Sequence, residues 1–235
     1  MDTNKSFMET YLTPIAVLVG AVILAAAYVY GSGAATTDVG NGAVQPSAAD
    51  ISKVDVSDAP YVGAEDAPVT MALYFDYQCP FCKLFDQTVV PQLAEYVNNG
   101  TLKIVFKDFQ FLGQDSTAAA LFSRAVWELY PEQYNAWLTA MFNAQDDEGD
   151  QGFGDLASIE ELTKGIPGID VAKVTALMNE KEAEYTSLMN ADRAEGASLG
   201  VNGTPAVVIG KKLLYAMTPA QFYAEIVAEI QAQAE

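Results

Sequence analysis

The sequence predicts an α/β domain in which one β-sheet is covered by helices on both faces, and three observations carry that expectation. The run Val69–Phe75 is followed by apolar residues at helical spacing, Phe81, Leu84, Phe85, Val89, Leu93 and Val97, and then by a second apolar run over residues 102–106. Strand, helix and strand at this spacing make a βαβ unit, with a right-handed crossover and parallel neighbouring strands. Near the C-terminus, Ala206–Ile209 and Lys212–Tyr215 flank Gly210 and Lys211 as a β-hairpin. Between these halves, residues of about 114–196 carry helical periodicity and form an inserted helical subdomain, so the sheet is mixed.

Taken in order, residues 51–56 read as a short first strand and Val69–Phe75 as a central one. The helix that follows runs from Cys79 to the turn at Asn98, Asn99 and Gly100. In the insertion, an alanine-rich helix over residues 116–130 holds Leu121, Phe122, Val126 and Leu129 on its apolar side. Pro131 opens the next helix, because its missing N–H costs nothing in a first turn. Trp127, Tyr134 and Trp137 are large apolar bodies suited to the core, with a groove border as the alternative. Residues 145–154 form an acidic, glycine-containing loop whose spacing does not meet the EF-hand pattern. A short helix follows over 159–164, closed by Gly165, and Asp170 caps a longer one through Val174 and Leu177. Tyr185, Leu188 and Met189 continue a helical face toward Gly196. Thr218 and Pro219 open the last helix, with Phe222, Ile226, Val227 and Ile230 as its stripe.

Ahead of this domain, assigned to residues 51–235, three segments differ in composition. Residues 1–10 are a short tail. Residues 11–30 include an uncharged apolar stretch long enough as a helix to cross most of a bilayer, with Tyr11, Tyr28 and Tyr30 at the ends where interfacial aromatics sit. A membrane anchor is the expectation, and a cleavable signal ending at the small residues Gly31 to Ala35 is the competitor. Residues 31–50 are rich in Gly, Ala, Ser and Thr and read as a flexible tether. The strongly acidic domain beyond the anchor fits the outer side of a membrane better than the inner side.

Charge and composition exclude several chemistries. Twelve Lys and Arg against 31 Asp and Glu give a formal charge of −19, which repels a nucleic-acid backbone. The chain has no histidine, so serine–histidine hydrolysis and H-E-x-x-H metal sites are impossible. No phosphate-cradling glycine loop occurs. The acidity serves solubility or life in high salt, which composition alone does not separate.

The two cysteines, Cys79 and Cys82, are spaced C-x-x-C with Pro80 and Phe81 between them, at the predicted strand-to-helix junction. Cys79 falls at or beside the N-cap, where unpaired amides and the helix dipole stabilise an anion. Cys82 lies one turn inward, within reach of Cys79 and less exposed. One thiol then attacks and the other resolves. A structural cross-link is the weaker reading, because so small a loop removes little unfolded-chain entropy. Half a zinc site would need a second chain or carboxylates as further ligands. Asp76 and Asp86 are nearby acids, Asp76 as a solvent-facing or helix-capping group and either as a proton relay. A like charge close to Cys79 would raise its pKa, whereas Lys83 would act the other way. A second motif runs Gly200, Val201, Asn202, Gly203, Thr204, Pro205 ahead of the strand from Ala206. A proline there belongs at the strand's entry. If the Thr204–Pro205 bond is cis, it makes a tight turn that could face the dithiol and leave the Thr204 backbone free to pair with an extended peptide. Sequence spacing does not show that this bend is near Cys79.

The stretch from Tyr74 to Lys83, the later stretch from Leu199 to Ala206, and the helical segment between them resemble the DsbA-like branch of the thioredoxin superfamily, the thiol:disulfide oxidoreductases that work outside the cytoplasm. The resemblance runs from about Val54 to the C-terminus. It implies a thioredoxin-like fold, with Cys79 as nucleophile, Cys82 as resolving thiol, and Pro205 as the cis-proline of a substrate groove, preceded by Thr204. It implies no cofactor beyond the cysteine pair and no metal. Two positions depart from the family pattern: Phe81 stands where the best known oxidases carry histidine, and Leu73 where a buried carboxylate is common.

By that resemblance the chain is a protein dithiol oxidase acting on exported proteins, with a membrane or soluble redox partner that recycles it. A reductase or isomerase of the same fold is the alternative, and a membrane-tethered peptide-binding module with an inert disulfide is the reading from another class. A monomer is expected, single-pass in the cell membrane with its catalytic domain outside, or secreted if the N-terminal segment is removed.

Overall fold

A computed structural model describes residues 46–146 and 153–233. Six strands form one mixed sheet: β1 (Ser47–Ala48), β2 (Tyr61–Val62), β3 (Val69–Phe75), β4 (Leu102–Asp108), β5 (Ala206–Ile209) and β6 (Lys212–Tyr215), in the order β1-β6-β5-β3-β4-β2. The central strand β3 pairs parallel with β4, Val69 opposite Leu102, and antiparallel with β5, Met71 opposite Ile209. The expected βαβ unit and hairpin therefore meet on one strand.

Eight α-helices lie among the described residues: α1 (Pro80–Thr88), α2 (Val90–Asn98), α3 (Gln114–Leu129), α4 (Pro131–Ala144), α5 (Leu156–Lys164), α6 (Val171–Glu180), α7 (Glu182–Ser198) and α8 (Pro219–Gln233). The helices α3 to α7 are the insertion. Asp155 and Asp170 cap α5 and α6 by accepting from the amides of Ser158 and Lys173. Thr218 and Gln221 cap each other reciprocally at the entry of α8.

Strand alternation divides the core. Val69, Met71, Leu73 and Phe75 face a large apolar layer built with α1 to α8, in which Tyr134 and Trp137 are buried, so these two rings are core. Ala72 and Tyr74 face a smaller layer with Val208, Leu213, Phe109 and Val54. Gly196 of α7 lies so close to Tyr74 that an added Cβ would meet its ring at 2.8 Å. A buried ionic network ties this side together: Lys107 of β4 pairs with Asp192 at 2.5 Å and Glu195 at 3.2 Å, and Arg124 of α3 pairs with Asp108 at 2.7 Å and also with Asp192. Breaking such a buried network from one side costs about 3–5 kcal/mol, so it fixes α3 and α7 on the sheet.

Three sequence expectations are corrected. The helix after Cys79 is not continuous: it breaks at Val89, where Pro91 two residues on has no N–H to extend the α1 ladder. Residues 51–56 are not a strand, because Asp50 takes the Ser52 amide and winds Ile51–Lys53 into a 3₁₀ turn. The last residues assigned to the tether instead run along the hairpin, with Ser47 and Ala48 opposite Leu213 and Lys212. The anchor expected over 11–30, the rest of the tether and most of the acidic loop lie outside the described residues. Among the described residues no helix is long and apolar enough to cross a membrane.

Candidate active site

Strand β3 ends at Phe75 and the chain turns sharply into α1, a turn held by Asp76. That side chain is fully buried, which corrects the solvent-facing expectation. One oxygen accepts from the Gln78 amide at 2.8 Å and the Ser116 hydroxyl at 2.6 Å, the other from the amides of Phe111 and Leu112 at 2.8 and 3.2 Å. Four donors tether the motif turn to the β4–α3 connection and the first turn of α3. The turn places Cys79 at the N-cap of α1, with Pro80 as first helical residue.

The two thiols are reduced and in different surroundings. The Cys79 thiol is lowered to about 6, first by the hydrogen bond from the Cys82 thiol, against an opposing burial effect, and further by Thr204 and the backbone amides of Cys82 and Phe81. Burial pushes the Cys82 thiol well above its ordinary value, and a thiolate at Cys79 pushes it further. Cys79 is 4% exposed and Cys82 2%, so the attacking sulfur is less open than the sequence reading required. The cover over it is the second motif. The Thr204–Pro205 bond is cis, and the Thr204 carbonyl accepts from Cys79 Sγ at 3.4 Å. The bend and the dithiol, 125 residues apart, are thus in contact. The same contact means the Thr204 carbonyl is engaged while Cys79 is a neutral thiol. The Thr204 hydroxyl is buried without a hydrogen-bond partner, close enough to favour the ionised form of either sulfur.

An apolar groove of about 320 Å³ opens beside the motif, lined by Phe81, Leu84, Thr204, Pro205, Met217 and Phe222 among others. Phe81 is 67% exposed, and Leu84 is also exposed. Helical spacing placed both on the apolar face of α1, and spacing does not distinguish a groove wall from a core face.

Lys83 is tied to the start of the acidic loop. Its ammonium donates to the Gln145 carbonyl at 2.6 Å, while the Gln145 side chain donates to the Tyr77 carbonyl at 2.8 Å and Gln78 reaches the Phe153 carbonyl at 3.3 Å. The residues around the motif therefore hold both ends of the acidic loop. Neither Gln78 nor Gln145 was legible as a site residue, since nothing in the spacing of a glutamine marks it. Asp86 also lies apart from the sulfurs' hydrogen bonds, lining a separate cavity. Leu73 joins the core layer of the two cysteines, so no carboxylate lies at that position.

A family model described as thioredoxin matches residues 55–228, nearly all of the described domain. The chain belongs to the thioredoxin family. Within it the DsbA-like resemblance also holds. The chain is 28% identical over 188 residues to the disulfide bond formation protein D of Bacillus subtilis, covering 76% of this chain and 77% of the relative. The crystal structure of oxidised BdbD from Bacillus subtilis matches with a TM-score of 0.70 at 24% identity, over 80% of this chain and 98% of that one, which shows the shared fold. The thiol-disulfide exchange protein α-DsbA2 of Wolbachia pipientis matches with a TM-score of 0.63 at 27% identity, over 75% and 89% of the two chains. For a thioredoxin-family domain, the reactive group is the cysteine pair itself.

Proposed function

We propose that this thioredoxin-family chain, a protein thiol:disulfide oxidoreductase, works as a dithiol oxidase that passes the Cys79–Cys82 disulfide to exported proteins. The observation that carries the direction is the ease with which Cys79 ionises, to about 6, at the entry of α1. A thiolate held at a helix N-terminus stabilises the reduced form, so the disulfide form gives up its oxidising equivalents readily.

In the reaction, a substrate thiolate attacks Cys79 Sγ; the Cys79–Cys82 bond breaks, a mixed disulfide forms, and Cys82 leaves and takes up a proton. A second substrate thiolate then attacks the substrate sulfur of the mixed disulfide, and Cys79 departs as a thiolate. A low-pKa thiol leaves faster, which favours this step. Cys82, held as a thiol by its raised pKa, is slow to attack the mixed disulfide and reverse the reaction. Two electrons reside on the enzyme dithiol at the end, and a redox partner must remove them.

The remaining roles follow from position. Phe81 and the Thr204–Pro205 bend border the groove in which an extended, partly apolar segment of the substrate lies, and Pro80 starts the helix that carries both sulfurs. Asp76 holds the motif turn, and Lys83 holds the loop beside it. The uncharged run within residues 11–30 supports a membrane anchor with the domain, in a single copy, on the outer side. The name of the Bacillus subtilis relative, a disulfide bond formation protein, supports oxidation over reduction.

Equilibration with glutathione tests the direction. The expected reduction potential is more positive than about −180 mV, toward the strongly oxidising end of the family; a value near about −270 mV, that of a reductant such as thioredoxin, would refute the oxidase reading.

A further inference from the structure

A cavity of about 410 Å³ lies away from the thiols, between α1, α2, α4 and the edge of the sheet. The carboxyl of Asp86 lines it. Asp86 is 8% exposed, and among the described residues it makes no hydrogen bond and no ion pair. The contrast with Asp76, buried ten residues earlier with four donors, is complete. Its oxygens are not fully sealed from water, yet burial of most of the residue with no donor or counter-charge beside it disfavours the ionised form. Among the described residues no counter-charge meets it, and there is space beside the group.

The rest of the lining says what would fit the space. Val90, Pro91, Ala94 and Val97 form an apolar wall with Ile104 of β4. Gln87, Asn135 and Asn143 contribute carboxamides, all three from exposed positions, and Gln87 Nε2 donates to Asn143 Oδ1 at 3.0 Å. A buried negative charge, neutral acceptors around it and an apolar wall match an ammonium group on a hydrocarbon stem. We propose that this cavity is a binding site for an alkylammonium group, with Asp86 as its counter-ion, Gln87 and Asn135 as supplementary acceptors and Val90, Ala94 and Val97 against the stem. The same chemistry is offered by a free aliphatic amine and by a lysine side chain of another protein.

Among the described residues Asp86 is the only titratable side chain lining the cavity, and Lys83, on the same helix, donates to the Gln145 carbonyl. Burial raises the Asp86 carboxyl to about 6, so the site is charged at neutral pH and binding weakens as pH falls below that value. A bound cation stabilises the ionised form and moves that midpoint downward.

The test is a nuclear magnetic resonance titration of the reduced full-length chain with n-butylammonium chloride at constant ionic strength, which suppresses diffuse binding to a chain of charge −19. Saturable shifts confined to the cavity are expected. Asp86→Asn should weaken binding at least tenfold, and n-butanol, with the same stem and no charge, should bind at least tenfold more weakly. Ala94→Met, which fills the space but keeps the carboxyl, should abolish binding. A short blocked peptide with one lysine, titrated in parallel, separates the two sources: binding as tight as that of butylammonium assigns the site to a partner's lysine, and failure of the peptide while butylammonium binds assigns it to a free amine. Shifts that do not saturate, or equal affinity in the wild type and Asp86→Asn, would overturn the proposal. These readouts do not involve sulfur chemistry, so they stand or fall apart from the oxidase reading.

Discussion

The entry of α1 and its first interior turn carry the same chemical group, yet the two cysteines behave in opposite ways. At the entry, Cys79 meets the Cys82 S–H, then the Thr204 hydroxyl and amides that lack helical partners, and the sum of these dipoles outweighs its own burial. One turn further on, Cys82 is more deeply enclosed, and burial and the neighbouring sulfur dominate. Three residues of helix thus separate a sulfur that ionises near pH 6 from one that stays protonated. What differs is the direction of the hydrogen bond between the sulfurs, which favours charge on Cys79 and disfavours it on Cys82, together with the deeper burial of Cys82 and the open amides at the helix entry.

The largest expected effect breaks this comparison outright. Cys79→Ser and Cys82→Ser should each abolish disulfide transfer, but only Cys82→Ser should accumulate mixed disulfides, detectable by non-reducing electrophoresis. Trapping by Cys79→Ser instead would exchange the two roles. A smaller effect separates the groove from the sulfurs. Phe81→Ser removes an exposed ring from the groove wall, so KM for a protein thiol substrate should rise about tenfold, a loss of roughly 1–2 kcal/mol of apolar contact. Oxidation of dithiothreitol, which needs no groove, should be unchanged. If both substrates suffered equally, Phe81 would be acting on the thiolate.

The smallest effect sharpens the comparison at one donor. Thr204→Val keeps the shape and removes the hydroxyl, and should raise the Cys79 pKa by about one unit, since one unit corresponds to about 1.36 kcal/mol. The same change should leave the groove's affinity for substrate nearly unaltered. A pKa that did not move would remove Thr204 from the set of stabilising groups.

Much of this frame was legible in the chain because it rests on local pattern. A continuous apolar run placed β3, Pro131 and Pro219 marked helix starts, and the C-x-x-C spacing located the helix entry. The features that escaped are tertiary. The break at Val89 depends on how α2 packs as well as on Pro91. The pairing of Lys107 and Arg124 with acids of α7 joins residues some 70–90 positions apart, and no spacing rule connects them. Asp76 and Asp86 look alike in sequence, each a lone acid beside the motif. Only the fold gives one four donors and leaves the other facing a cavity. For Phe81 and Leu84 the periodicity marked an apolar helix face and left its destination open, because such a face is equally suited to a core and to a partner.

Linkage connects the Cys79 pKa to stability. A depressed pKa adds stability that is fully present above the unfolded value of about 9 and is lost as pH falls through about 6, so the reduced form gains from this group as pH rises across that window. The oxidised form has no thiol to ionise and lacks this contribution.

The direct measurement of the central claim is the rate of iodoacetamide alkylation of Cys79 in the reduced protein as a function of pH, followed by mass spectrometry of the modified peptide. The account predicts a midpoint near pH 6, with Cys82 unreactive across the range. A midpoint near pH 8.5, the value of an ordinary free cysteine, would contradict it.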